Sequence, residues 1–441
     1  MSLPVVAIIG RPNVGKSTFF NRVVGQRIAV VDDHPGITRD RLAALAEWNG
    51  YRFRLFDTGG WVPDADDAMD DAILTQVLLA VEACDFVVFL VDARAGLHPH
   101  DRMIAHELFR RGITPFLVAN KADHDRIDAE VTEFAELGIE PIYPVAAAEG
   151  RGVADFLDAL VAQLPPHAAI DAQVEDRADI RVAIVGRPNV GKSSLTNRLL
   201  GEDRMIVDNK PGTTRDAVDA PFKFHGRTIT VVDTAGIRRR LDSQPKYEFY
   251  ATLRAVRSID SADVAVLVLD ASEEVSRQDL RIASLIEQAG AAAVIAINKW
   301  DLPDKDDTST GAWIRKIEEE IPFLSHAPIL FISALTTQRI HRLPEAIVQV
   351  YDAARREVPT ATWNDILNKA VEHNPPRSRG SGQRPVKIYY VTQVRNAPPT
   401  VALFCSEPKR MAPDYLRYLA GKFRETLGFE GSPIRFHLRK S

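Results

Sequence analysis

Five short, nearly continuous apolar runs punctuate the first third of the chain, at residues 5–9, 54–56, 86–91, 116–119 and 142–145. Five more follow at 182–185, 228–232, 264–269, 293–297 and 329–332. Runs this short, without strict alternation, predict strands buried on both faces, and amphipathic stretches separate them. The pattern predicts an α/β fold: two doubly wound, mostly parallel sheets in succession. The remainder has another rhythm, with a helix predicted over 363–372, strands over 386–394 and 400–404, a longer helix over 413–427 and a strand over 434–438. That order predicts a small α+β domain. No apolar run approaches the ~20 residues of a membrane span.

The two sets of runs are copies of one another. Residues 5–40 and 181–216 align without gaps at an offset of 176, with 21 of 36 positions identical. The offset holds at Asp57 and Asp233 and has become 178 at Asn120 and Asn298. A period this long means duplicated domains. Residues 165–179, with two prolines and four acidic residues, read as an inter-domain linker. The expected organisation is a first domain over 1–164, an acidic linker over 165–179, a second domain over 180–358 and a C-terminal domain over 359–441.

Each copy carries a phosphate-binding sequence between its first strand and first helix: Gly10-Arg-Pro-Asn13-Val14-Gly15-Lys16-Ser17 and Gly186-Arg-Pro-Asn189-Val190-Gly191-Lys192-Ser193. The glycines let the main chain close on phosphate oxygens, with its N–H groups and the positive helix start pointing inward. Lys16 and Lys192 are candidates for the β- and γ-phosphates, and Ser17 and Ser193 for Mg²⁺. Thr18 and Ser194 complete the nucleotide-contacting stretch of each loop. Two matches at one offset, each following an apolar run, are not coincidence.

The second strand of each copy ends in Asp57-Thr-Gly-Gly60 or Asp233-Thr-Ala-Gly236. The acid can hold water on Mg²⁺, and the final glycine N–H can bond the γ-phosphate. Thr38 and Thr214, within Pro-Gly-x-Thr-Arg-Asp, can complete Mg²⁺ coordination only when γ-phosphate is present. Asn120-Lys121-Ala-Asp123 and Asn298-Lys299-Trp-Asp301 follow later apolar runs. The Asp123 or Asp301 carboxylate can accept from guanine N1–H and the exocyclic amine, a donor pair adenine lacks. The motif therefore selects GTP over ATP. The candidate catalytic residues are Lys16, Thr38, Gly60, Lys192, Thr214 and Gly236. Trp61 and Ile237 stand where many GTPases place a water-orienting glutamine, so slow unaided turnover is expected.

Composition adds one asymmetry. Residues 355–441 hold 16 Lys and Arg against 7 Asp and Glu, leaving 39 against 53 in the rest of the chain. A basic C-terminal module on an acidic body suggests a polyanionic partner. Cys84 and Cys405 both sit in apolar runs and read as small hydrophobes of a reducing compartment. The opening residues Met1-Ser2-Leu3-Pro4 lack a basic region and a cleavage site, so a cytoplasmic location is expected. Gly428-Phe-Glu-Gly431 matches G-x-x-G, but its apolar and acidic middle argues against a phosphate clamp.

These motifs closely resemble the bacterial double-Era-like GTPases, the Der or EngA family, over essentially the whole chain. The C-terminal part of the likeness rests on Pro398-Pro399-Thr400, Phe404, Tyr415-Leu-Arg-Tyr418-Leu419, Phe423-Arg424-Glu425 and Gly431-Ser432-Pro433-Ile434-Arg435, and implies a KH-like domain. The resemblance implies hydrolysis of GTP to GDP and phosphate, coupled to late assembly of the large (50S) ribosomal subunit through its rRNA. It implies Mg²⁺ as cofactor and a monomeric protein. It also implies a potassium ion held by Asn13 and Asn189 in place of the missing glutamine. The guanine O6 loop falls at Ala146-Ala147 and Ser333-Ala334, where the first copy lacks the family's serine. Residues 336–340 lack the glycines of Gly150 and Gly152, so unequal nucleotide affinities are expected. The competing reading is a ribosome- or membrane-associated scaffold that binds nucleotide with little turnover.

Overall fold

A computed structural model describes residues 3–25, 43–58, 77, 84–123, 131–164, 179–201, 219–234, 245–302, 309–376 and 386–441, with the side chains of 245–250 and 309 excepted. In the first lobe β1 (Val5–Ile9) leads into α1 (Lys16–Gly25), followed by the pair β2 (Ala43–Trp48) and β3 (Tyr51–Asp57). Then come β4 (Phe86–Asp92), α2 (Pro99–Arg110), β5 (Phe116–Asn120), β6 (Ile142–Pro144) and α3 (Val153–Ala162). The sheet order is β2-β3-β1-β4-β5-β6, parallel throughout except for β2.

The alternation along β1 explains why the predicted runs read as continuous. Val6 and Ile8 enter the cluster shared with Phe19, Phe20 and Phe156, while Ala7 and Ile9 enter the one shared with Leu108 and Phe134. Both faces are covered, so every position is apolar. Phe156 meets Phe19 edge-on at 5.5 Å and Phe116 at 6.0 Å. Such contacts contribute roughly 0.5–1.5 kcal/mol each beyond area burial. Because α1 begins at Lys16, the docking of Phe19 and Phe20 fixes where the phosphate loop ends.

The second lobe repeats the plan. Its elements are β7 (Asp179–Val185), α4 (Lys192–Gly201), β8 (Ala220–Phe224), β9 (Arg227–Val231), α5 (Pro245–Asp260), β10 (Val264–Asp270) and α6 (Arg277–Ala289). They continue with β11 (Ala292–Asn298), α7 (Ser309–Glu320), β12 (Ile329–Phe331) and α8 (Arg342–Ala354). The order β12-β11-β10-β7-β9-β8 again leaves one antiparallel edge strand, β8. Neither β2 nor β8 was expected from the sequence. Ala43–Trp48 and Ala220–Phe224 are edge strands with mixed burial, so they lack the run of apolar residues that marks the inner strands.

The C-terminal lobe packs α9 (Thr360–His373) and α10 (Pro413–Leu427) on a sheet of β13 (Ile388–Arg395), β14 (Thr400–Cys405) and β15 (Arg435–Lys440). Strand β13 is antiparallel to β14, and β15 is parallel to it. Trp363 is fully buried against Phe423 and Phe429. Neither cysteine is in a disulfide; Cys405 is buried and Cys84 half-buried.

The chain divides into two compact units, and the C-terminal lobe belongs with the second nucleotide-type lobe. The joint is built on main chain: Ala293 N–H donates to Gly431 O (2.7 Å) and Gly431 N–H donates to His326 O (2.9 Å). Arg435 Nη2 donates to Gln288 O (2.6 Å). Burial and the nearby Arg424 guanidinium push the His326 imidazole down to about 3, so this ring is neutral at the joint. The Gly428–Gly431 turn, whose apolar and acidic middle does not suit a phosphate clamp, is a docking element of this joint.

Gly431 has φ 71°, and a Cβ there would lie 2.2 Å from Val350 Cγ1 and 3.0 Å from Ala293 O. Gly431→Ala should destabilise the joint by about 2–4 kcal/mol from combined overpacking and backbone strain. The check is thermal unfolding of the full chain, in which the C-terminal lobe should melt in a separate, earlier transition.

Candidate functional site

Strand register brings the sequence motifs of each copy to one edge. Ile8 pairs with Asp57, and Asp92 pairs with Asn120. In the second sheet Asp270 pairs with Asn298. These are the carboxyl ends of neighbouring parallel strands, at the point between β1 and β4, or β7 and β10, where the chain reverses its direction of travel across the sheet. Open α/β sheets bind ligands at that crevice.

The phosphate loops follow β1 and β7 and require their glycines. Gly10 has φ 148°, and a Cβ on it would meet Leu90 O at 2.3 Å; Gly186 would meet Val268 O at 2.4 Å. A Cβ on Gly15 would lie 2.4 Å from Asn120 Nδ2, and one on Gly191 2.2 Å from Asn298 Nδ2. That close approach lets each asparagine tie two loops together. Asn120 Nδ2 donates to Val14 O (2.8 Å), while its Oδ1 accepts from Ala147 N–H (3.1 Å). Asn298 does the same with Val190 O (2.7 Å) and Ala334 N–H (2.9 Å). Both asparagines are buried, so each amide would otherwise carry unmet hydrogen bonds.

Lys16 Nζ donates to Gly10 O (2.7 Å) and Arg11 O (2.9 Å), and Lys192 Nζ to Arg187 O (2.6 Å). Burial pushes the Lys16 ammonium down to about 8; Asp57 opposes the shift and Arg11 reinforces it. Burial brings Lys192 to about 8 as well, opposed by Asp279 and reinforced by Arg187. Ser17 Oγ donates to Asp57 Oδ2 at 2.7 Å, and Thr58 Oγ1 to Ile8 O at 2.6 Å. In the second copy β9 ends before Asp233, whose φ is 55° and whose Oδ2 accepts from Ser258 Oγ at 3.3 Å. Ser193 follows Lys192 in the first turn of α4. The hydroxyl–carboxylate pair Ser17 and Asp57 is a hard-oxygen set of the kind Mg²⁺ takes together with phosphate oxygens.

Lys121 and Lys299 have φ 67° and 60° and reach back to acids that end the neighbouring strands. Lys121 Nζ lies 2.6 Å from Asp92 Oδ2 and Lys299 Nζ 2.6 Å from Asp270 Oδ2. Lys121 also donates to Asn13 O at 2.8 Å. Burial works against the charged form of Asp270, but hydrogen bonds from Lys299 and Ser272 hold its carboxyl below the usual range. Asp123 and Asp301 differ in their surroundings. Arg94 clasps Asp123, with Nε donating to Oδ1 at 3.0 Å and Nη2 to Oδ2. Asp301 Oδ1 is buried with no hydrogen-bond partner among the described residues.

The loops that follow β6 and β12 differ in their bracing. Ser333 Oγ accepts from Thr336 N–H at 3.1 Å, a brace that Ala146 cannot make. Ala146 N–H donates to Arg151 O (3.0 Å) as Ser333 N–H does to Gln338 O (3.1 Å), and in the first copy Gly150 N–H also donates to Ala146 O (2.7 Å). Gly150 and Gly152 have φ 91° and 69°, and the second copy keeps those left-handed positions with Thr337 (63°) and Arg339 (57°). A β-branched residue there stores strain of roughly 1–3 kcal/mol. Thr38, Thr214, Gly60, Gly236, Trp61 and Ile237 lie outside the described residues.

Several supporting residues escaped the sequence reading. Arg22 Nε donates to Ala147 O (2.7 Å), and Arg198 Nε to Ala334 O (3.3 Å), bracing each O6 loop from the first helix. Arg11 and Arg187 approach Asp101 (3.5 Å) and Asp279 (3.3 Å), the acids that complete the capping boxes of α2 and α6. These pairs and Asp92/Asp270 all recur at the repeat offsets, which was the available signal.

Comparison with known proteins agrees with this geometry. A family described as 50S ribosome-binding GTPase matches residues 5–121 and again 181–299. A second, the KH-domain-like C-terminal part of EngA bacterial GTPases, matches residues 357–439. GTPase Der of Gemmatimonas aurantiaca is 45% identical, covering all of this chain and 99% of that protein. GTPase Der of Desulforamulus reducens is 47% identical with the same coverage. The chain belongs to the Der family of GTPases. As a Der-family member it binds GTP and GDP and hydrolyses GTP. Among solved structures, Era in complex with MgGDPNP and a 16S rRNA fragment is 24% identical over 60% of this chain and 93% of that one, with a TM-score of 0.31, too low to argue from. No described helix is long and apolar enough to cross a membrane.

Phosphate oxygens would replace the loop carbonyls at Lys16 and Lys192 and return both ammoniums toward the ordinary 10.5. The complex then holds more protons than the free protein between about pH 8 and 10.5. Affinity for GDP should be flat below pH 8 and fall by up to about tenfold per unit above it, with proton uptake on binding. Calorimetry in buffers of different ionisation enthalpy checks both the slope and the uptake.

Proposed function

We propose that this GTPase is a switch in late assembly of the large (50S) ribosomal subunit, with both nucleotide sites active and the C-terminal lobe engaging rRNA. The observation that carries the reading is the doubled site, in which Asn120 and Asn298 each lock a phosphate loop to a base-reading loop, in a chain whose full length matches Der proteins. The family's description as 50S ribosome-binding and the basic residues 355–441 support the ribosomal partner. The proposed division is 1–164, linker 165–179, 180–358 and a KH-like domain over 359–441, in a monomeric cytoplasmic protein.

The proposed roles follow from chemistry. Main-chain N–H groups from residues 13–18 and 189–194 cradle the phosphates, with Lys16 and Lys192 on the β- and γ-oxygens. Asp123 and Asp301 accept from guanine N1–H and its amine, while Ala147 and Ala334 N–H groups, aimed by the asparagines, lie toward the O6 side. Ser17 with Asp57, and Ser193 with Asp233, would hold Mg²⁺, joined by Thr38 and Thr214 when GTP is bound. Held there, Mg²⁺ would supply positive charge against the phosphate oxygens. Gly60 and Gly236 N–H groups bond the γ-phosphate. Water attacks the γ-phosphorus, the bond to the β,γ-bridging oxygen breaks, and GDP leaves with phosphate. With Trp61 and Ile237 unable to orient that water, the side-chain oxygens of Asn13 and Asn189 would hold K⁺ as extra positive charge.

Large subunits should raise the GTPase rate, and association should require GTP over GDP and weaken steeply with salt. At matched ionic strength, turnover should be faster in potassium than in sodium. Cells depleted of the protein should accumulate immature large subunits. An unchanged subunit profile together with nucleotide-independent association and no turnover would favour a scaffold instead.

A further inference from the structure

The two copies treat their base-reading acids differently. Asp123 faces the fork of Arg94, whose Nε–H donates to Oδ1 at 3.0 Å and whose Nη2 donates to Oδ2. Both carboxylate oxygens are thus engaged by two parallel donors, the same two-point pattern that guanine N1–H and its amine would present. While Arg94 holds that edge of the Asp123 carboxylate, guanine cannot take the same two-point arrangement on it. The Arg94 side chain is 57% exposed and stands beside Asp92, Asp123 and Glu149, so its paired hydrogen bonds and charge hold it over the acid.

The second copy has no counterpart. By the same alignment that pairs Asp92 with Asp270, Arg94 becomes Ser272. Ser272 turns inward and gives its Oγ–H to Asp270 Oδ1 at 2.6 Å and its N–H to the same oxygen at 3.0 Å. Glu149 is replaced by Thr336 in the aligned O6 loop. Asp301 keeps a buried oxygen without a hydrogen-bond partner among the described residues. Among the described residues, one acid is engaged on both oxygens by its own chain and the other keeps an oxygen without a partner.

We infer that Arg94 is an affinity-setting competitor for guanine at the first site, a surrogate donor pair that must be displaced before the base can dock. This rests on the reading of Asp123 as the guanine acceptor. Displacement breaks an exposed but bidentate ion pair, so the effect on affinity is modest and depends on salt. It also supplies a sign for the difference between the sites: the Arg94 pair weakens nucleotide binding in the first domain alone.

The test uses the full chain with the second site silenced by Lys192→Ala, and fluorescent GDP as the probe. Arg94→Ser, which gives the first site the residue of the second, should tighten GDP binding by about two- to tenfold. The ratio of variant to parent affinity should shrink toward one as sodium chloride is raised from about 50 mM to 1 M, because salt screens the pair but not the fold. Arg94→Lys, which keeps the charge but loses the fork, should fall between the two. Unchanged or weaker binding by Arg94→Ser would overturn the inference, and weaker binding would mean that Arg94 contacts the bound nucleotide. Asp123→Asn in the same background separates the two readings. If it leaves GDP affinity intact, the assignment of Asp123 fails; if it abolishes binding while Arg94→Ser changes nothing, only the competitor role fails.

Discussion

Each nucleotide site hangs on one buried amide. Asn120 and Asn298 sit at the ends of inner strands and have both ends of their side chains occupied, one by a phosphate-loop carbonyl and one by an N–H of the O6 loop. The phosphate loop must come within reach of that amide, which is why Gly15 and Gly191 have no room for a Cβ. The O6 loop must be held against it, which is the work of Arg22 and Arg198. Three segments far apart in sequence are thereby fixed in one geometry by the chain's own groups, and preorganisation of this kind lowers the cost of binding.

Much of this was written in the order of residues. Inner strands such as Phe86–Asp92 and Val264–Asp270 are apolar at nearly every position because both faces are covered, and a run of that kind is visible without a fold in hand. The long helix at Pro413–Leu427 was bounded by its proline and by Gly428 in the left-handed conformation. The phosphate loops and the Asn-Lys-x-Asp elements came through because their spacing reflects a fixed main-chain shape. Edge strands Ala43–Trp48 and Ala220–Phe224 did not, since half-exposed positions erase the contrast. Nor did the supporting ion pairs: Arg11 with Asp101 joins residues 90 positions apart, and only the fold brings them together.

The duplication preserved geometry more strictly than residue type. Where the first O6 loop turns through Gly150 and Gly152, the second makes the same left-handed turns with Thr337 and Arg339 and adds the Ser333 brace. Backbone strain in one copy is set against a side-chain hydrogen bond, while the other copy has neither. Around the base-reading acid the copies diverge in charge, with Arg94 and Glu149 in one and Ser272 and Thr336 in the other. Two sites of the same ancestry and overlapping chemistry can therefore respond to nucleotide level and ionic conditions on different scales.

The joint at Gly431 has a further implication. Its two principal bonds run from peptide group to peptide group, Ala293 to Gly431 and Gly431 to His326. Bonds of that type recognise the shape of the chain rather than the identity of the residues that carry it. The tightest demand on the seam falls at residue 431, where there is no room for a Cβ, and the Arg435 guanidinium adds a side-chain clasp on Gln288 O beside it.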